Sequence, residues 1–252
     1  MGVMTVVKLG GSFISDKGRP FSVRRRSLYN AINSLSGSGV VFVHGGGSFG
    51  HYVASKYSLS SRDVDSSGKG VWETRDAMVR LNRIICRYMS RAGFKPYVIP
   101  GVALLDLDLS PRRGIDLVLE TILDSGLTPV TYGDVLPVKN GFRIVSGDYL
   151  SMVLCKVLHP NRMVFIIDKP GILRDPEKNS TLLETVDSDE LSNYAASSPK
   201  DATGGLAYKL KMAKLISEMG VETAFVSGFN TDALIKSVFG RPFKGTLVVS
   251  KR

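Results

Sequence analysis

The sequence predicts an α/β protein: a three-layer αβα sandwich with a central, mainly parallel sheet and an antiparallel hairpin near residues 134–146. Three observations predict it. Runs such as Val40-Val41-Phe42-Val43 and residues 163–167 are apolar throughout, as strands covered by helices on both faces must be. Between such runs lie longer segments whose apolar residues recur every three or four positions, the period of a helix packed on one side. Glycine clusters stand at strand ends or helix starts, where the chain has to turn sharply.

The elements follow in order. Thr5-Val6-Val7-Lys8-Leu9 reads as the first strand and runs into Gly10-Gly11-Ser12. Leu28, Ile32 and Leu35 mark one helix face, and residues 40–43 form a buried strand closed by His44-Gly45-Gly46-Gly47. Val71, Met78, Leu81, Ile85 and Met89 make a longer helical stripe, followed by a short strand at 97–99. Ile115, Val118, Leu119 and Ile122 give the next helix, and residues 128–131 the next strand. Asn140-Gly141 between two apolar runs signals a hairpin, since both central positions of a tight turn favour positive φ. A helix begins at Asp148, a strand occupies 163–167, and a helix runs from about 205 to 219. A strand at 223–226, a helix near 231–238 and a strand at 246–249 complete the chain. Ser58 to Lys69, rich in Ser, Asp and Gly, reads as a lid or substrate loop, and residues 197–203 as a second irregular piece.

Composition narrows the class. The 252 residues, 43% of them hydrophobic, suit one domain spanning 1–252, with an N-terminal lobe to about residue 160 and a C-terminal lobe from about 161. Two cysteines, Cys86 and Cys155, exclude a disulfide framework, and no Cys/His spacing suggests a metal site, so no protein metal ligands are expected. No apolar run approaches the ~20 residues of a membrane span, and the N-terminus lacks a signal-peptide pattern. A cytoplasmic protein without a membrane partner is the expectation. With 33 Lys+Arg against 23 Asp+Glu, the net charge of +10 admits nucleic acid, an acidic surface or a phosphorylated small molecule. No nucleic-acid motif accompanies the charge, so no nucleic-acid partner is expected.

The glycine clusters carry the chemistry. In a parallel sheet the carboxyl ends of the strands share one edge, where ligands bind. Glycine lets main-chain N–H groups approach an anion, and a helix N-terminus adds partial positive charge. Gly10-Gly11-Ser12, Gly45-Gly46-Gly47 and Thr203-Gly204-Gly205, two of them with a lysine nearby, point to an elongated polyanion. Neither a Walker A nor a Rossmann fingerprint occurs.

Lys8-Leu9-Gly10-Gly11-Ser12, Gly45-Gly46-Gly47-Ser48, Ser146-Gly147-Asp148 and Gly205-Leu206-Ala207-Tyr208-Lys209 occur in the order found in the amino acid kinase superfamily. The chain resembles that superfamily from about residue 5 to 249. Gly47-Ser48-Phe49-Gly50-His51, together with Ser15-Asp16-Lys17, is similar to the isopentenyl phosphate kinases within it. The resemblance implies the amino acid kinase fold, with acceptor bound by the N-terminal lobe and ATP by the C-terminal lobe. It implies phosphorylation of isopentenyl phosphate by ATP in isoprenoid biosynthesis (the alternative mevalonate route), magnesium bridging the ATP phosphates, and a homodimer formed through N-terminal-lobe helices.

Residue roles follow from the resemblance. Lys8 would reach the transferring phosphoryl group and Lys209 the ATP phosphates from the other side, with Asp148 holding both ammonium groups. Gly10, Gly11 and Ser12 would cradle the β- and γ-phosphates, with Thr203 and Gly204 touching phosphate and Asp168 beside the nucleoside. Gly46, Gly47, Gly147, Lys17 and His51 would hold the acceptor phosphate. His44 is read as packing. Val71, Trp72, Met78, Leu81 and Ile144 are candidates for an apolar tail pocket; residues 52–57 match no fixed motif, so tail preference stays open. Two alternatives also stay open: a phosphonate kinase of the same superfamily, fosfomycin-kinase-like, and a basic nucleotide- or nucleic-acid-binding protein on an inactive kinase fold.

Overall fold

The computed structural model describes residues 4–16, 18–59, 68–174, 181–194 and 205–250. The first half of the chain runs through β1 (Thr5–Leu9), α1 (Gly11–Ile14), α2 (Arg25–Ser34), β2 (Val40–His44), α3 (Gly47–Lys56) and α4 (Gly68–Arg91). It continues through β3 (Pro96–Val98), α5 (Gly101–Leu104), α6 (Ile115–Asp124) and β4 (Thr128–Tyr132). The hairpin β5 (Asp134–Val138) and β6 (Gly141–Val145) leads into α7 (Gly147–Leu158) and β7 (Arg162–Ile167). Then come β8 (Thr185–Asp187), a 3₁₀ segment (Ser188–Tyr194), α8 (Gly205–Glu218), β9 (Glu222–Ser227), α9 (Thr231–Val238) and β10 (Thr246–Val249).

Eight strands form one sheet in the order β3-β4-β2-β1-β7-β9-β10-β8. All neighbours are parallel except β9 and β10, so the mainly parallel sheet expected from the apolar runs is present. Alternation along each strand feeds two cores. Val6, Val41 and Val43 pack with α6, α7 and α8 on one face; Val7, Leu9 and Phe42 pack with α2, α4 and α9 on the other. The five stripe residues named on α4 are all buried, which is what an amphipathic period predicts.

Several details depart from the expectation. The hairpin turns one residue earlier: Val138 pairs with Gly141, so Lys139 and Asn140 form the loop. Asn140 takes the left-handed conformation at φ 71, which asparagine tolerates, and Gly141 opens the return strand. The segment expected to be a lid is divided; Gly68 and Lys69 already belong to α4, while 60–67 lie outside the described residues, as do 197–203. The short elements α5, β8 and the 3₁₀ segment were not read from the sequence, because four residues or fewer show no resolvable period in the first two and the third is polar.

β1, β2 and β7 end side by side, with Leu9 opposite His44 and Ile166 in register. That shared carboxyl edge positions everything below.

Candidate active site

Lys8 is the only charged residue of β1. It has the same parity as Val6, so it faces the layer of α7 and α8. Asp148 enters from the first turn of α7, where Ser146 caps the helix by accepting the Tyr149 N–H at 3.2 Å. A carboxylate there is favoured by the positive end of the helix dipole. Lys209 comes from α8, with its ammonium 5.6 Å from the centre of the Phe165 ring.

The three meet on a single oxygen. Lys8 Nζ lies 2.7 Å and Lys209 Nζ 2.8 Å from Asp148 Oδ1, with side-chain exposures of 3%, 14% and 13% for Lys8, Lys209 and Asp148. Burial alone would push the Asp148 carboxyl up, but the charges of Lys209 and Lys8 reverse this and hold it at about 2. Burial pulls the Lys8 ammonium down to about 7, against the attraction of Asp148 and helped by the like charge of Lys209. Two cations on one anion leave a net positive charge aimed at the sheet edge, a place for phosphate.

The two glycine turns pack against each other beside the triad. A Cβ on Gly11 would lie 2.8 Å from Gly47 N and 4.0 Å from His51 Nε2. Ser15 laces the turns together: its hydroxyl donates to Gly11 O at 3.0 Å and accepts the Ser48 N–H at 2.7 Å. Gly47 has φ 48, and any Cβ there would collide with Ser15 Oγ. Gly47→Ala is therefore expected to cost about 1–2 kcal/mol from the left-handed backbone alone, and more as the lacing opens. Urea unfolding would show the lost stability; a variant as stable as wild type would disprove the role of this turn.

A cavity of about 600 Å³ spans the edge and is lined by Lys8, His51, Asp148, Lys209 and Asp168, together with Gly11, Ser12, Gly46 and Gly147. The imidazole of α3 and the two lysines thus face one space. The Gly10 N–H donates to Ile166 O at 2.8 Å, so this glycine continues the sheet beyond β1. Its lack of a side chain serves the close strand, since a Cβ would sit 2.5 Å from Ile166 O. Gly47 stands behind the wall and not on it, shaping the turn. Lys17, Thr203 and Gly204 lie outside the described residues. His44 is fully buried, stacks on Tyr132 at 5.1 Å, and burial lowers its pKa to about 4, keeping it neutral.

Of the expected tail residues, Met78 and Ile144 line the cavity. Val71 and Leu81 are core, and Trp72 is 66% exposed. The sequence reading missed Ala54, Thr74, Asp134 and Val135, which complete that wall. Asp134 is held by Arg75, whose Nη2 is 3.3 Å from Oδ2. Burial nevertheless raises the Asp134 carboxyl to about 6. No sequence signal marked these residues, because a threonine inside a helix and an aspartate opening a strand are commonplace.

A buried lysine–aspartate–lysine cluster between two glycine turns, on the carboxyl edge of a parallel sheet, is the equipment of a phosphoryl-transfer enzyme. Residues 3–227 match the model of the Amino acid kinase family, and the chain belongs to that family. Within it, the chain is 33% identical to the isopentenyl phosphate kinase of Methanocaldococcus jannaschii over 84% of this chain and 87% of that one. It is 30% identical to the isopentenyl phosphate kinase of Thermoplasma acidophilum over 97% of this chain and 100% of the relative. The crystal structure of the T. acidophilum isopentenyl phosphate kinase product complex superposes with a TM-score of 0.81 at 26% identity, covering 97% of this chain and 99% of that chain.

Proposed function

We propose that this chain transfers the γ-phosphoryl group of ATP to isopentenyl phosphate, giving isopentenyl diphosphate and ADP. The observation that carries the reading is that Lys8, His51 and Lys209 line one cavity, as the meeting of two phosphates requires. An acceptor phosphate bears about −1.5 to −2 charge near neutral pH, and its repulsion from the γ-phosphate is the main obstacle. Its oxygen is already ionised, so the reaction needs in-line placement and positive charge more than a general base. Lys8 neutralises the moving phosphoryl group, Lys209 the nucleotide phosphates, and Asp148 keeps the two ammonium groups in place. The amides of Gly11 and Ser12 face the nucleotide phosphates. Gly46, Gly147, Lys17 and His51 hold the acceptor, while Asp168, Thr203 and Gly204 serve the nucleotide.

Magnesium would enter on the ATP phosphates and spread their charge. Asp148 is engaged by two ammonium groups, and among the described residues no cluster of three His, Cys, Asp or Glu side chains could hold a metal ion; the nucleotide's own oxygens fit that role better. Apart from Lys8, Gly11 and Ser12, which meet the nucleotide phosphates, acceptor binding belongs to residues up to about 160 and ATP binding to those beyond. We assign the protein to the cytoplasm, as a homodimer through N-terminal-lobe helices, without a nucleic-acid partner; among the described residues no helix is long and apolar enough to cross a membrane.

The reading is tested by kcat/KM across isopentenyl phosphate, dimethylallyl phosphate, fosfomycin, uridylate and acetylglutamate. Isopentenyl phosphate should lead; preference for fosfomycin, the nucleotide or the amino acid would overturn it. His51→Ala should raise acceptor KM by about ten-fold or more while ATP KM changes little, since a charge-assisted hydrogen bond is worth about 1.5–3 kcal/mol. Equal loss for both substrates would remove His51 from the acceptor site.

A further inference from the structure

We propose that Ser15 is a positioning residue for the transfer: at the head of a chain of serine hydroxyls, it fixes the distance between the nucleotide turn at Gly11 and Ser12 and the acceptor turn that leads to His51. The inference rests on the reading of these two turns as the two phosphate sites.

The ladder between β1 and β2 runs out at the Gly45 N–H, which donates to Leu9 O at 3.1 Å. Past that point the turns meet without side chains, and contact sets the near limit: a Cβ on Gly11 would stand 2.8 Å from Gly47 N. Ser15 sets the far limit. It follows α1 and is fully buried. Its hydroxyl hydrogen goes to Gly11 O at 3.0 Å, which leaves its lone pairs for the Ser48 N–H, 2.7 Å away in the first turn of α3. Ser48, 2% exposed, passes the tie on: its hydroxyl donates to Ser22 O at 3.1 Å and its carbonyl accepts the Phe21 N–H at 3.1 Å. The Ser22 hydroxyl donates to Asp16 O at 2.9 Å and accepts the Asp16 N–H at 3.0 Å. The chain thus returns to the residue after Ser15.

A first-turn N–H of a helix has no partner within its own helix. Here the acceptor comes from the opposite turn, so satisfying Ser48 holds α3, and His51 one turn further along it, at one spacing from Gly11. Transfer needs the reacting atoms about 3–3.5 Å apart and in line, and a misplacement of about 1 Å can cost about 10²-fold. Both partners of the Ser15 hydroxyl are main-chain groups, so it acts through the turns and not on a substrate. Without it each turn still binds its own phosphate, but their spacing loosens, and the loss falls on kcat.

The test measures kcat with ATP and isopentenyl phosphate and, by calorimetry, the separate Kd values of ADP and isopentenyl phosphate, with a thermal melt of each protein. It is run on the wild type, Ser15→Ala, Ser15→Cys (which keeps the volume but bonds weakly), Ser15→Thr and Ser237→Ala. Ser237 is a buried serine of α9 whose hydroxyl donates to Leu234 O at 2.8 Å, a control for loss of a buried hydroxyl away from the turns. Ser15→Ala and Ser15→Cys should each lower kcat about ten-fold while both Kd values stay within about three-fold of wild type. Ser15→Thr, which keeps the oxygen, should recover kcat to within about three-fold, and Ser237→Ala should leave it unchanged. The inference alone is overturned by a kcat within about three-fold of wild type in a folded Ala or Cys variant. Loss of kcat matched by equal rises in both Kd values, an equal loss in Ser237→Ala, or no recovery in Ser15→Thr also overturns it. Absence of turnover of isopentenyl phosphate by the wild type overturns the functional reading and this inference with it.

Discussion

Lys8→Met is expected to lower kcat by roughly 10³-fold while the protein stays folded. Methionine keeps the length and apolar stem of the lysine at the end of β1, so the sheet edge remains filled, and Asp148 keeps Lys209 at 2.8 Å. What disappears is a preorganised positive charge, 3% exposed, at the point where negative charge moves between phosphates. Loss of one preorganised donor typically costs ~10²–10³ in rate, and a full charge in a partly dehydrated site falls at or above that range. Steady-state kinetics with a thermal melt beside them decides it; near-wild-type turnover would take Lys8 out of the mechanism. A pH signature accompanies the prediction. The lysine must be protonated, and burial lowers it to about 7 in the free protein, so kcat/KM for ATP should fall as pH rises above about 7. In the bound state nearby phosphates favour the charged form and raise that pKa, so kcat should persist to higher pH. Lys8→Met should lose this alkaline limb in kcat/KM.

Asp148→Asn should be almost as damaging, for the opposite electrostatic reason. Two ammonium nitrogens bonded to one oxygen at 2.7 and 2.8 Å stand at most about 5.5 Å apart. Without the carboxylate charge between them, their repulsion is on the order of 3 kcal/mol at an effective dielectric of ~20. The protein relieves it by releasing the Lys8 proton, so at neutral pH the site has one cation fewer and misplaces the other. A fall of roughly 10²–10³ in kcat is expected at pH 7.5. The sign of the pH response separates this role from general-base catalysis: lowering the pH reprotonates Lys8, so part of the loss should be recovered towards pH 6. A variant whose activity does not recover on acidification would overturn this charge-balancing role.

Much of this could be read in the sequence. Strands apolar on both faces, such as Val40-Val41-Phe42-Val43, carry no competing signal, and β2 lies where they predict it. The stripe of α4 is long enough for its period to be unmistakable. Lys8, Gly11, Ser12, His51, Asp148 and Lys209 were legible as a group because each sits in a short motif at a strand end or helix start. The hydrogen bond of Gly10 to Ile166 was not legible, because a glycine that admits a phosphate and one that admits a neighbouring strand look alike in one dimension. Thr74 and Asp134 were invisible because their meaning lies only in which atoms surround them, and their neighbours come from elements about 60 residues apart in the chain.

The order of the elements, the covered parallel sheet and the glycine turns at its carboxyl edge were settled by the sequence itself. Hydrophobic period and backbone freedom are local properties, written within a few residues. The sharing of one carboxylate by two lysines, the drop of the Lys8 ammonium towards neutrality and the placing of Thr74 and Asp134 in the cavity lining were decided by the tertiary structure. Charges and hydrogen-bonding groups act over a few ångströms, and only the register of β1 against β7, with α7 and α8 packed together on one face, brings residues 8, 148 and 209 within that distance.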